Sequence, residues 1–301
     1  MSLERVAIIG LGLIGGSIGL ATRAMSPAIA TTGWDADPQV RRRAAERGLV
    51  GAVCDTAAQA VREADLVILC VPVGAMGAAA EAIAEALPRH AIVSDVGSSK
   101  RGVGEAIAAA LPDAVVIPAH PVAGTEKSGP DAGFAELFRH RWCIVTPPQD
   151  APDNAVTAVA DFWRGLGAKV EIMAPDHHDL VLAVTSHIPH LIAYTIVGTA
   201  SDLEDVTRGE VIKYSAGGFR DFTRIAASNP VMWRDVFLTN RDAVLEVLGR
   251  FTEDLTAMQR AIRNGDGDTL FDLFERTRTI RRSIVEEGQD DARPDFGRGD
   301  H

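Results

Sequence analysis

Cysteine is scarce here. The chain has three in 301 residues, Cys54, Cys70 and Cys143, far apart and odd in number. That excludes a disulfide framework and offers no zinc-type spacing; Cys70, inside an apolar run, reads as a buried thiol. Basic charge is also short, with 30 Lys and Arg against 41 Asp and Glu and a formal net charge of −11. Neither a nucleic-acid backbone nor an anionic membrane is therefore expected as the main partner. A small anionic substrate is not excluded, because a local cluster of arginines overrides net charge. The N-terminus shows no basic leader, cleavage site or long apolar span, so a cytoplasmic protein is expected. Internal repeats and low-complexity stretches are absent. What remains is 301 residues at 47% hydrophobic content, enough for two globular domains with a substantial core.

The first half alternates strand-like and helical runs, which argues a parallel, doubly wound α/β sheet of Rossmann type. Arg5–Gly10 is a short strand, and Gly10, Gly12 and Gly15 follow as G-x-G-x-x-G before a helix. The first glycine permits the tight turn, the second lets a pyrophosphate approach the backbone, and the third packs helix on strand. The phosphate then rests on amides at the positive end of the helix dipole. A strand over 29–34 ends at Asp35, twenty residues past Gly15. A carboxylate there accepts from the adenine-ribose hydroxyl and repels a 2′-phosphate, so NAD is expected over NADP. Asp35 also reads as a helix cap before Pro38. Helices are expected over 38–47, 56–64, 74–87 and 101–111, with strands at 50–53, 65–71, 91–96 and 114–119. Val71 and Pro72, at the end of the third long strand, are expected beside the cofactor. Runs 141–146 and 169–173, with a helix between, extend the first domain to residue 173.

From Pro175 onward helical periodicity takes over. A helical domain over 174–287 is expected, with a disordered tail at 288–301. One helix is read across 230–263, about 50 Å long, with Phe237, Val244, Leu248, Phe251, Leu255, Met258 and Ile262 in heptad steps interrupted at Arg241. A second covers 267–287. Such a domain is thin alone, so a homodimer is expected; ordinary intrachain core is the other reading of the stripe. His177, His178 and Asp179 read as a solvated helix start. His187 and His190 lack a matching carboxylate or cysteine pair, and no metal is expected.

The segment 120–129, His-Pro-Val-Ala-Gly-Thr-Glu-Lys-Ser-Gly, follows an apolar strand directly. A histidine delivered there sits where open α/β sheets keep their ligands. A polar surface turn is the alternative reading. Together with Gly-Leu-Gly-Leu-Ile-Gly-Gly at 10–16, Asp-Val-Gly-Ser-Ser-Lys at 95–100, Ser-His-Ile-Pro-His at 186–190, Gly-Gly-Phe-Arg-Asp-Phe-Thr-Arg-Ile-Ala at 217–226 and Pro-Val-Met-Trp-Arg-Asp at 230–235, this segment resembles the prephenate/arogenate dehydrogenase family of tyrosine biosynthesis. The resemblance runs from residue 5 to about 285. With no mutase segment before it and no ACT-like segment after it, the chain resembles the monofunctional form.

The resemblance implies NAD-dependent oxidative decarboxylation of prephenate to 4-hydroxyphenylpyruvate, of arogenate to tyrosine, or both. It implies that His120 accepts the ring-hydroxyl proton, Ser98 holds that hydroxyl from the other side, and Arg224 grips the ring carboxylate. His190 would position the substrate, and Glu126 and Trp233 would line the pocket near the side chain. Arg220 stands where some members carry lysine, which puts side-chain recognition there in doubt. Two rival functions stand beside this one. Another Rossmann-plus-helical dehydrogenase, of 3-hydroxyacid or imine type, would put a catalytic lysine on a second-domain helix, where this chain has only Lys213 after residue 173. A non-catalytic NAD-binding sensor would show decay at His120, Ser98, His190 and Arg224, all of which are present.

Overall fold

The computed structural model describes residues 3–25, 29–124, 127–202 and 217–286. Glu126, Lys213 and the 288–301 tail therefore lie outside the described residues. Six parallel strands form the first sheet: β1 (Arg5–Ile9), β2 (Ala30–Trp34), β3 (Ala52–Val53), β4 (Leu66–Leu69), β5 (Ile92–Asp95) and β6 (Val115–Val116), in the order β3-β2-β1-β4-β5-β6. This order reverses direction between β1 and β4, which opens a crevice at their carboxyl ends. Period-2 alternation sends Val6, Ile8, Leu66 and Ile68 into one core and Ala7, Ile9, Val67 and Leu69 into another on the opposite face. Both faces are covered, so β1 and β4 read as continuous apolar runs.

Helices α1 (Leu13–Met25), α2 (Pro38–Arg47), α3 (Ala57–Val61), α4 (Met76–Glu81) and α5 (Arg101–Ala110) link these strands. Three are shorter than the sequence predicts, α5 by a single residue at its end. The Thr56–Gln59 capping box starts α3 one residue late, and 3₁₀ turns replace both ends of the expected 74–87 helix. Asp37, not Asp35, caps α2 by accepting from the Gln39 amide.

The predicted strand 114–119 is two strands in two sheets. Ile117 still donates to Val93 at 2.8 Å, continuing the first sheet. Pro118 has no N–H to offer that ladder, and its carbonyl accepts from Thr146 at 2.9 Å instead. From there β7 (Ala119–Pro121) pairs antiparallel with β8 (Trp142–Val145), which pairs parallel with β9 (Lys169–Ile172). The helix α6 (Asp153–Gly165) packs Phe162 and Trp163 against this second sheet. Cys143 is the buried thiol, and Cys70 is only half-buried.

Every described element from Pro175 onward is helical: α7 (Pro175–Leu182), a π-turn (Ala183–His187), α8 (Ile188–Asp202), α9 (Gly217–Thr223), a 3₁₀ turn (Arg224–Ala227), α10 (Pro230–Thr239), α11 (Arg241–Asn264) and α12 (Gly267–Glu286). The single helix predicted over 230–263 is broken at Asn240, whose φ of −108° and ψ of 32° leave the helical region. By contact the chain forms two compact units, Met1–Leu245 and Glu246–His301. In the first, Val244 is buried while Leu238 and Leu245 are exposed. In the second, Leu255, Ile262, Phe271, Phe274 and Ile280 are between 53% and 67% exposed.

Candidate active site

The crevice between β1 and β4 carries the glycine loop. Gly10 adopts φ 101°, and a side chain there would meet the Cys70 carbonyl oxygen at 2.4 Å. At Gly15 a Cβ would fall 1.9 Å from the Gly10 oxygen, so helix and strand approach too closely for any side chain. Gly12 is different: a Cβ there meets nothing within 4 Å. That open space lies just before α1, where free amides and the helix dipole favour phosphate. Asp35, at the end of β2, accepts from the Leu11 amide at 2.8 Å and the Asp37 amide at 2.9 Å. It is half-buried and keeps lone pairs for a ribose hydroxyl. Half-buried Val71 and exposed Pro72 follow β4 and complete the loop's surroundings. A dinucleotide such as NAD fits this set of residues.

The second cluster begins at His120 on β7, 8% exposed. Its Nδ1 lies 2.8 Å from Nε2 of His178, and His178 Nδ1 lies 2.8 Å from Oδ1 of Asp179. Asp179 also accepts from the amides of Lys100 at 2.7 Å and Arg101 at 3.0 Å, which open α5. The Lys100 side chain is fully buried, with Nζ 2.5 Å from Asp95 and 2.6 Å from the Ala119 carbonyl. The Asn240 amide nitrogen donates to the Asp179 carbonyl at 2.8 Å and lies 3.1 Å from His187 Nδ1. The helix break at Asn240 thus frees a side chain that joins two elements.

Burial holds the His120 pKa well below its ordinary value, with His178, Lys100 and His187 adding to the effect. Burial also lowers His178, against the raising influence of Asp179. For Asp179 burial pushes upward, but the hydrogen bonds from His178, Arg101 and Lys100 outweigh it and the pKa falls. His187 is lowered to about 4, chiefly by burial.

The π-turn explains how His178 and His187 are both buried. Nine residues along an ideal α-helix would leave them about 180° apart. The extra residue per turn rephases the helix, and it does so just before Pro189, whose ring would clash with a regular preceding turn. One step on, His190 Nδ1 sits 2.8 Å from the Ser186 carbonyl, and its ring stacks on Trp233 at 3.7 Å. Trp233 is buried against the β1/β4 side of the core, and its indole N–H has no hydrogen-bond partner among the described residues. Burial lowers the His190 pKa, and the nearby Arg224 charge lowers it further.

The structure therefore brings His120 together with Lys100, His178, Asp179, His187 and Asn240, and His190 together with Trp233 and Arg224. Ser98 is half-buried on the turn between β5 and α5, next to Ser99, whose hydroxyl pairs with Thr239 at 2.8 Å. Arg220 and Arg224 are exposed, one turn apart. The expectation that residues 177–179 form a solvated helix start is corrected: His177 is exposed, but His178 and Asp179 are buried in the cluster. Leu182 and Ala183, one turn later and also buried, were the available signal, because positions 178, 179, 182 and 183 share a helix face.

Residues 129–134, downstream of His120, lie on the nucleotide half. Arg43 Nε pairs with Asp131 at 2.7 Å, and Arg47 donates to the carbonyls of Pro130 and, at 3.2 Å, Gly133. The Phe134 amide donates to Ser17 on α1 at 3.0 Å.

Comparison with known proteins bears on both halves. Residues 18–172 match the family described as prephenate dehydrogenase, nucleotide-binding domain, and residues 174–276 match prephenate dehydrogenase, dimerization domain. The chain is 46% identical over 281 residues to a cyclohexadienyl dehydrogenase of Zymomonas mobilis, covering 93% of this chain and 96% of that protein. It is 33% identical to a prephenate dehydrogenase of Bacillus subtilis, covering 93% of this chain and 76% of the other. In structure it resembles prephenate dehydrogenase from Aquifex aeolicus, solved with hydroxyphenyl propionate and NAD+. There the TM-score is 0.87 and the identity 30%, over 94% of this chain and 99% of that one.

Proposed function

Because the chain belongs to the prephenate dehydrogenase family, we propose that it oxidises and decarboxylates prephenate, arogenate or both in tyrosine biosynthesis. It is an NAD-dependent oxidoreductase with a Rossmann-type nucleotide-binding half and a helical second half. The observation that carries the reading is a buried histidine, His120, held 2.8 Å from His178. Oxidising a ring hydroxyl requires a base for its proton, and burial lowers the His120 pKa, which favours the neutral imidazole.

NAD, when bound, supplies the hydride acceptor. The chain's residues do the rest. Gly10, Gly12 and Gly15 leave room for the pyrophosphate, Asp35 takes the ribose hydroxyl and disfavours a 2′-phosphate, and Val71 and Pro72 flank the cofactor. His120 accepts the hydroxyl proton, and Ser98 orients that hydroxyl. Arg224 holds the ring carboxylate, a task suited to a planar guanidinium. His190, fixed by its stack on Trp233, positions the ring. Trp233 and Glu126 line the pocket near the substrate side chain, with Arg220 beside them. Aromatisation drives loss of carbon dioxide, so orientation and charge placement are the protein's contribution.

The functional division falls at 173/174, between the nucleotide-binding and helical halves. The helical half holds a homodimer, supported by the exposed apolar side chains of α11 and α12 and by the match to a dimerization domain. We place the enzyme in the cytoplasm. The stretch Pro175–Asp202 is long and apolar enough to span a membrane. It also carries buried His178, Asp179 and His187, which fits a core helix. The test is NADH formation by the purified protein with prephenate and, separately, with arogenate. Turnover of at least one is expected, and turnover of neither by protein that binds NAD overturns the assignment.

A further inference from the structure

We propose that His178 and Asp179 form a proton relay behind His120, holding its ring with Nδ1 protonated and Nε2 bare and sharing the charge when Nε2 takes the substrate's proton. The proposal rests on the dehydrogenase reading for the identity of the proton donor. The tautomer chain itself follows from geometry alone.

Asp179 receives three N–H groups, from Lys100, Arg101 and His178, and acts only as an acceptor. His178 must then carry its proton on Nδ1. A neutral imidazole so protonated has a bare Nε2. That atom lies 2.8 Å from His120 Nδ1, which must be the donor of the pair. His120 is left with Nε2 unprotonated, the atom a general base needs. The backbone amides of Lys100 and Arg101 fix the carboxylate, and Asn240 fixes the Asp179 backbone, so the orientation is built rather than incidental.

The relay answers a cost the site imposes on itself. His120 is buried, so an imidazolium there is poorly solvated. The charged and titratable groups facing the pair are Lys100, Asp95, His187, Asp179 and the buried Cys143 thiol. Lys100 is neutralised by Asp95, and His187, with its pKa near 4, is uncharged at neutral pH. Asp179 is the remaining negative charge, and His178 stands between it and His120. In the reaction the substrate O–H bond breaks and its electron pair becomes the carbonyl π bond. The ring C–H pair leaves as hydride to NAD, and the proton bonds to His120 Nε2. The His120 Nδ1 proton shifts toward His178 Nε2, which places the positive charge beside the Asp179 carboxylate. When the ring carboxylate leaves as carbon dioxide, its C–C bond pair restores the aromatic ring and the resulting phenolate oxygen takes the proton back from His120 Nε2.

Two measurements on the full-length protein decide it. In ¹⁵N-histidine NMR of the wild type, with and without NAD, His120 should rest as the Nδ1–H tautomer; finding it as Nε2–H overturns the proposal, whether or not any substrate turns over. In His178→Gln the side-chain amide can still accept from Nδ1 but takes up no proton. Its kcat should fall about 10- to 100-fold, with the KM for the oxidised substrate within about twofold. The acid limb of its pH profile should move, because the His120 imidazole has lost the residue that links it to the carboxylate. An unchanged kcat and acid limb overturns the relay, and so does a change confined to KM. Asp179→Asn should show the same split. Where its lost contacts to the α5 amides prevent folding, His178→Gln carries the test. A wild type that oxidises neither prephenate nor arogenate sinks the dehydrogenase reading, while the tautomer measurement still decides the chain.

Discussion

The nucleotide cradle and the histidine cluster are built on opposite plans. The cradle is backbone, laid out by glycines on regular strands and one regular helix. The cluster is side chains, and three of them come from breaks in regular structure: His120 just past a strand that changes sheets at Pro118, His187 in a π-turn before Pro189, and Asn240 where a helix stops. A backbone site demands few residue types at fixed spacing. A side-chain site demands elements brought together from 95, 120, 178, 187 and 240, so its assembly depends on the whole first unit. Buried breaks in regular structure of this kind mark function more often than defect.

The largest expected effect lies in the cradle. Gly15→Val sets a side chain against the Gly10 carbonyl and should cost about 3 kcal/mol or more of stability, abolishing NAD binding. Gly12→Ala meets open space, so it should fold normally, within about 0.5 kcal/mol of wild type, yet bind NAD more weakly. Calorimetry separates the two; normal NAD affinity in Gly12→Ala would mean the pyrophosphate does not approach there.

The cluster should break differently. His120→Asn should lower kcat by on the order of 10²–10⁴ with substrate binding roughly intact, and should remove the acid limb. Arg224→Gln should lose about 2–4 kcal/mol of carboxylate binding, roughly 30- to 1000-fold, mainly in KM. Steady-state kinetics across pH test both. Near-normal turnover with the same acid limb in the first, or an unchanged KM in the second, removes that residue from its role.

Protonation sharpens the contrast from the stability side. His187 has its pKa lowered to about 4 in the folded chain. Between that value and the unfolded value near 6.5, the unfolded state binds a proton that the folded state refuses. Stability should therefore fall as pH drops through this window, by on the order of 3 kcal/mol. Denaturant titrations at stepped pH should show the fall, and His187→Gln should show less of it. The smallest effect is expected at Asp35→Ser, which should narrow the preference for NAD over NADP by roughly tenfold. Equal catalytic efficiency with both cofactors in the wild type would already contradict the role of Asp35.

What could be read in the sequence follows the same division. Strand–helix alternation, the G-x-G-x-x-G turn and the carboxylate at 35 are local requirements, and the sheet order and loop geometry agree with them. The change of sheets at Pro118 was hidden because Ala114–Ala119 is one apolar run; only the missing N–H marks the crossing. Asn240 was hidden inside a heptad pattern that continues on both sides of it. The burial of His178 and Asp179 escaped because polar residues after a helix-starting proline read as solvated, and only the apolar Leu182 and Ala183 on the same helix face point the other way. Lys100 stood in a recognised motif, yet nothing in the motif shows that its ammonium is buried against Asp95.

The strap formed by residues 129–134 has a consequence for anyone recombining this enzyme with its relatives. Because Arg43, Arg47 and Ser17 of the nucleotide half hold it, the segment downstream of His120 belongs mechanically to the cofactor module. A chimera joined between Pro121 and Gly129 would take the strap from one parent and its anchors from the other. A junction beyond Phe134 keeps buckle and belt from the same parent, and with them the alignment of base and cofactor.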